Sequence, residues 1–509
     1  MINLTSISKN KIALFFIISL LFKPIWLFNN QDLGKPGIDD LSHWLHAATI
    51  AYDFDIDYVN DYVVDESTFS KETNIPYHPP GAGYLSSPFV FLFSLFDNSF
   101  VGRLNPVGSF AYLGFFCASL FYCWFGLFLL FKVFESKNIN KGYFVIFSVL
   151  VGTLTHFVTN RFIMSHAVEF FLCSWLCYLF ETKDKTYNIT NLSNIGLVYF
   201  LLSFTRPSTF IYSLCLLIIY LKKKDIKFKN ILNLLFVSMF YLVIHIIVSF
   251  NLYKKYTIFQ HYQGNLEELN YVEFTSVHIV SNTPKILNLI FSTSMGLIWT
   301  LPIVAFGILS VALMTFRGKN DNFLNSIFTF FYIYGALIVL IVWQGREVTY
   351  GQRLLIGLIP FCSIKILYLL QNKFLDKLFK LFTTISYLGY LYFYSSDNLN
   401  LKRGLTLWGR EVGYAGQDYF YYLFKEFYLI ENIISLLGRT IYSVNLFSFI
   451  KFEALITALK LDTLLSPSKL AKSFDLTKTY FDIELPYLIT VDILIIIFCW
   501  FTASLIIRK

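Results

Sequence analysis

Apolar residues run in blocks long enough to cross a bilayer as helices, and short basic segments separate them. The basic segments are Lys9/Lys11, Lys132–Lys141, Lys183/Lys185, Lys222–Lys229, Arg317/Lys319, Lys373–Lys380 and Arg508/Lys509. Cytoplasmic loops favour Lys and Arg, so all seven are placed inside, which requires an even number of crossings between neighbours. The apolar blocks supply that number. Residues 11–28 go out and 106–131 return; 143–160 and 162–180 form a hairpin, and 194–204 with 208–221 a shorter one. Residues 231–251 go out, 296–315 return, 323–343 and 352–370 pair, 381–395 go out and 487–507 return. The pattern predicts an all-α polytopic transmembrane bundle of about twelve spans with both termini inside. Residues 83–98 and 286–295 read as re-entrant or interfacial helices. Residues 11–28 lack a small-residue cleavage site and read as an anchor.

Composition sharpens this picture. Of 509 residues, 56% are hydrophobic and 15% charged, against about 25% charged in a usual soluble chain, and mean hydropathy is +0.57. That excludes a soluble globule, a disordered chain and a secreted disulfide scaffold. The net charge of +8 belongs to topology, because the cations sit between apolar runs; nucleic acid is not expected as a partner. The seven cysteines show neither metal nor disulfide spacing, and Cys173 and Cys177 read as packing residues on one helix face. No nucleotide-binding motif occurs, and no nucleotide or organic cofactor is expected.

The topology assigns residues 1–395 to a transmembrane catalytic module with a first external loop at 29–105. Residues 396–486 form an external loop or small cap with amphipathic stretches such as 431–460, and 487–509 the last span and tail. It also places most polar residues of chemical interest outside. Asp39 and Asp40 follow the first span; adjacent carboxylates suit a general base or a metal, or else an acidic turn capping a helix that starts near Leu41. That helix carries Leu41, Trp44, Leu45, Ala48 and Tyr52 on one face and should lie on the membrane. His43 and His46 on it read as surface polar residues, with His43 joining Asp39 and Asp40 as a ligand if a divalent metal binds.

Later segments add cations. Tyr77 and His78 lie in a Pro-Pro-Gly turn that presents them rigidly at the membrane edge. Asn160, Arg161, Ser165, His166 and Glu169 gather at the apex of the next hairpin, an intramembrane polar cluster of the kind that marks a functional site. Arg206 interrupts an apolar run just before the helix-breaking Pro207, and Arg346 and Arg353 flank a loop with Gly345 and Gly351. A guanidinium at a helix end beneath the membrane surface suits a lipid phosphate.

In order along residues 10–361, the segments "GIDDLSHWLHAATIAYDFDIDY", "YHPPGAGYLSSPF", "IMSHAVEFF", "SFTRPST", "FSTSMGLIWTLP" and "WQGREVTYGQRLL" resemble the GT-C-type membrane glycosyltransferases. The resemblance is to the bacterial relatives of protein O-mannosyltransferases and of the lipid A aminoarabinose transferase. The last segment departs from the family's pattern: Arg346 stands where a second glycine is usual, and one extra residue precedes Gly351. The resemblance implies transfer of a sugar from a polyprenyl-phosphate carrier to an extracytoplasmic acceptor at a bacterial inner membrane. Under it, Asp39 or Asp40 is the catalytic base, while Arg353, Arg206 and Arg161 hold the donor phosphate. His78, His166, Tyr77 and Arg346 orient the substrate. Metal dependence stays open. An envelope glycan polymerase or ligase, a lipid or sugar transporter or flippase, and a non-enzymatic assembly protein are the alternatives.

Overall fold

The computed structural model describes residues 9–19, 21–22, 38–58, 76, 78–97, 106, 108–137, 142–159, 161–182, 189–223, 228–253, 290–291, 296–317, 323–342, 352–395 and 485–507. Among these every regular element is helical. The expected cap at 396–486 lies outside them, apart from the start of the last helix, as do Tyr77, Asn160, Arg346 and Glu347.

The helices are α1 (Lys9–Ser19), α2 (Ile38–Asp53), α3 (Gly81–Ser94), α4 (Phe110–Ser136), α5 (Gly142–Leu150), α6 (Thr153–Thr159), α7 (His166–Thr182), α8 (Ile189–Thr205), α9 (Pro207–Lys223) and α10 (Phe228–Tyr253). After these come α11 (Leu297–Thr300), α12 (Pro302–Phe316), α13 (Phe323–Val342), a 3-10 turn (Arg353–Leu358), α14 (Ile359–Leu369), α15 (Lys373–Ser395) and α16 (Leu485–Ile506). Among the described residues, two segments, Phe110–Ser136 and Leu232–Leu252, are long and apolar enough to cross a membrane. The first is mostly packed inside the bundle and the second mostly faces outward.

Local chemistry explains several boundaries. Ser109 starts α4 with its hydroxyl accepting from the Tyr112 N–H, satisfying one of the orphan donors of a first turn. Pro207 and Pro302 stand at the first turns of α9 and α12, where a missing N–H costs nothing. The block at 143–160, expected as one span, is instead two helices interrupted at Val151 and Gly152. The helix near Leu41 begins three residues earlier, at Ile38, so Asp39 and Asp40 lie inside its first turn.

The bundle centres on α4, which packs between α3 and α7, with Phe125 and Phe171 stacked at 5.3 Å. Helix α2 lies against α3, where Gly83 lets the backbones meet: a Cβ there would stand 2.5 Å from the His46 Cβ. The first and last helices pair, with Phe22 and Phe498 rings 4.8 Å apart. Helix α9 packs on α13, and α12 on α14, so that α9, α7 and the 3-10 turn meet around the start of α7.

Candidate active site

The start of α7 is where the polar residues gather. Asp40, in the first turn of α2, is 5% exposed and faces Arg161, which lies 121 residues further along. Arg161 Nη2 stands 2.8 Å from Asp40 Oδ2, and Nε donates to Oδ1 at 3.2 Å. This two-point contact uses the planar fork of the guanidinium and fixes both partners' orientation. The Asp39 backbone shares that turn; its side chain is outside the described part of the structure.

Glu169, one turn into α7, is fully buried. Its Oε2 meets His166 Nδ1 at 3.1 Å and the Arg206 Nε at 3.4 Å. Thr209 donates its hydroxyl to Oε1 at 2.5 Å, and the Gly357 N–H also donates to the carboxylate. A Cβ on residue 357 would stand 2.5 Å from the Tyr212 hydroxyl and 2.9 Å from Oε1, so only glycine lets the 3-10 turn approach this closely. One carboxylate thus ties together α7, the α8–α9 junction and the turn that begins with Arg353. Donors and a cation on every side are what a charge needs to be buried at tolerable cost.

Arg353 reaches the same place. Its Nη1 donates to Met164 Sδ at 3.6 Å, in the segment joining Arg161 to His166. The charges of Arg161 and Arg353 act on both His156 and His166, and those of Arg206 and His43 act on His166 as well. Asp40, Arg161, His166, Arg206 and Arg353 therefore occupy one neighbourhood, at helix ends or in the short segments that join them.

The histidines of the first loop form a clamp at its edge. Both His43 and His46 are buried, at 3% and 0% exposure, which corrects their reading as surface polar residues. His46 Nε2 donates to the His78 carbonyl at 2.7 Å, and its Nδ1 accepts from the Tyr58 hydroxyl at 2.5 Å. Burial drives the His46 imidazole down to about 3, a neutral ring at any ordinary pH, opposed in part by the bond to the His78 carbonyl. The His78 N–H donates to Ser42 Oγ at 2.8 Å, and its ring stacks on His43 with centroids 5.0 Å apart. The Pro-Pro turn is in this way pinned to α2, and His78 is carried next to His43. No group of three or more His, Cys, Asp or Glu side chains among the described residues is arranged to hold a metal; Asp40 faces Arg161 instead.

Glu169 is the organising residue here; the sequence placed it in the polar cluster at the hairpin apex but gave it no role of its own. Thr209, Tyr212, Gly357, Tyr58 and Ser42 were not singled out. Thr209 had one signal, its place three residues after Arg206 in the first turn of a helix, and Gly357 had none. Comparison with family models, curated proteins and solved structures finds no match to this chain.

Proposed function

We propose that this chain is a polytopic membrane glycosyltransferase of the GT-C type, moving a sugar from a polyprenyl-phosphate carrier to an extracytoplasmic acceptor. The observation that carries the reading is the gathering of Asp40, Arg161, His166, Arg206 and Arg353 at one set of helix ends. These residues come from segments far apart in sequence, and three of them are guanidinium groups. In the twelve-span arrangement that charge and hydropathy favour, these helix ends face outward, where a lipid-linked donor presents its phosphate.

The chemistry follows from the charges. An acceptor hydroxyl attacks the anomeric carbon, its proton passes to a carboxylate, and the bond from that carbon to the phosphate oxygen breaks. The polyprenyl phosphate leaves as an anion that cations stabilise, so no second acid is required. Both Asp40 oxygens already meet Arg161, which suits Asp40 to fixing the site and leaves Asp39 as the better proton acceptor. Arg353 and Arg206 are the phosphate-binding candidates, with Arg161 held by Asp40 beside them.

Arg353→Lys tests the phosphate assignment, because lysine keeps the charge and loses the planar fork. Binding of undecaprenyl phosphate to the purified protein should weaken about tenfold with thermal stability unchanged. Undiminished affinity in a stable Arg353→Lys protein would refute it.

A further inference from the structure

We infer that His166 Nε2 accepts a hydrogen bond from a hydroxyl of the bound sugar, an assignment that rests on the glycosyltransferase reading above. The Glu169 carboxylate takes an N–H from Gly357 and a hydroxyl hydrogen from Thr209, and it faces the Arg206 guanidinium at 3.4 Å. Two donors and a cation suit an ionised acceptor, so the contact at 3.1 Å is His166 Nδ1–H donating to Oε2. A neutral imidazole with its hydrogen on Nδ1 carries a lone pair on Nε2.

That Nε2 is buried and has no hydrogen-bond partner among the described residues. The ring also lies within reach of the charges of Arg161, Arg206 and Arg353. Buried acceptors are normally satisfied, so a group with a hydrogen to give is expected there. A carrier phosphodiester is an anion with no hydrogen of its own, and it cannot fill the position. A sugar hydroxyl can. The site then divides its labour: guanidinium groups take the phosphate, and His166 reads a hydroxyl on the sugar attached to it.

His166→Asn is the matched variant, since its amide N–H can replace Nδ1 toward Glu169 while Nε2 is deleted. His166→Gln instead restores an acceptor near the Nε2 position. The probes are undecaprenyl phosphate, undecaprenyl-phosphate glucose and undecaprenyl-phosphate mannose, each titrated against the full chain in detergent. Expected is a loss of about tenfold in His166→Asn for the sugar-bearing lipid that the wild type prefers, with the bare phosphate lipid unaffected and partial recovery in His166→Gln. Nitrogen NMR on 15N-histidine protein should show an unprotonated Nε2 whose signal shifts when that lipid is added. Equal loss for bare and sugar-bearing lipids, unchanged affinity in His166→Asn because water fills the position, or a protonated Nε2 would each overturn the inference. Failure of the wild type to bind even the bare lipid would instead defeat the glycosyltransferase reading, and the sugar assignment with it.

Discussion

Asp40 and Glu169 each face an arginine, yet their surroundings differ in kind. Asp40 sits in the first turn of α2, and the Arg161 side chain it holds is 26% exposed. Glu169 is fully buried and receives hydrogen bonds from His166, Thr209 and Gly357 besides facing Arg206. The first pair can exchange its partner for water or ligand at smaller cost, because the Arg161 side chain is already part-exposed. The second is less free to do so: the Arg206 side chain is 20% exposed, but Glu169 has no exposure, and removing the arginine would leave its carboxylate buried without a cation. The difference separates a part-exposed pair that orients the edge of the site from a buried one that holds its frame.

Breaking the frame should have the largest effect. Glu169→Ala leaves three buried donors without their acceptor and takes from Arg206 its buried anionic partner. A loss of about 3–5 kcal/mol is expected, read as a large fall in the thermal unfolding temperature of the purified protein. A loss near 1 kcal/mol would make the two pairs alike.

Acid should loosen the Asp40 side through a different residue. His46 fixes α2 to the Pro-Pro turn, and Tyr58, Tyr84 and the His78 segment face its ring. Its folded value of about 3 lies below the ordinary 6.5, so the unfolded chain binds the proton more readily. Stability from this group is complete above about pH 6.5 and is lost as pH falls toward 3, by about 1.4 kcal/mol per unit at most. Wild-type unfolding temperature should therefore drop between pH 7 and 5.5, and His46→Gln should flatten that part of the profile. An equal drop in His46→Gln would assign the acid sensitivity elsewhere. Asp40→Ala completes the series, with an expected loss of about 1 kcal/mol or less.

Much of the helix content could be read from apolar runs, because a span is a local property of some twenty residues. The run at 106–131 and α4 at Phe110–Ser136 nearly coincide. The break within 143–160 was harder to see: Gly152 is one small residue in an apolar stretch, yet its φ of 89° is one that residues with side chains rarely adopt. The site was legible residue by residue and not as a network. Arg161, His166, Arg206 and Arg353 drew attention because cations in apolar surroundings are rare. The pairing of Asp40 with Arg161 spans 121 residues and that of Glu169 with Thr209 spans 40, and nothing local encodes either. The histidines were misjudged for a related reason. The face of α2 that carries His43 and His46 is polar by pattern, and its burial depends on the Pro-Pro turn folding back over it.

Under the proposed function, a carboxylate of the Asp39–Asp40 pair is the base in sugar transfer. Transfer from undecaprenyl-phosphate hexoses by purified wild type, Asp39→Asn and Asp40→Asn measures it most directly, with unfolding temperature recorded for each. Asp39→Asn should lower the rate about 10²–10⁴-fold with little change in stability, and Asp40→Asn should lower it less, through a displaced Arg161. Full transfer activity in both variants would contradict the account.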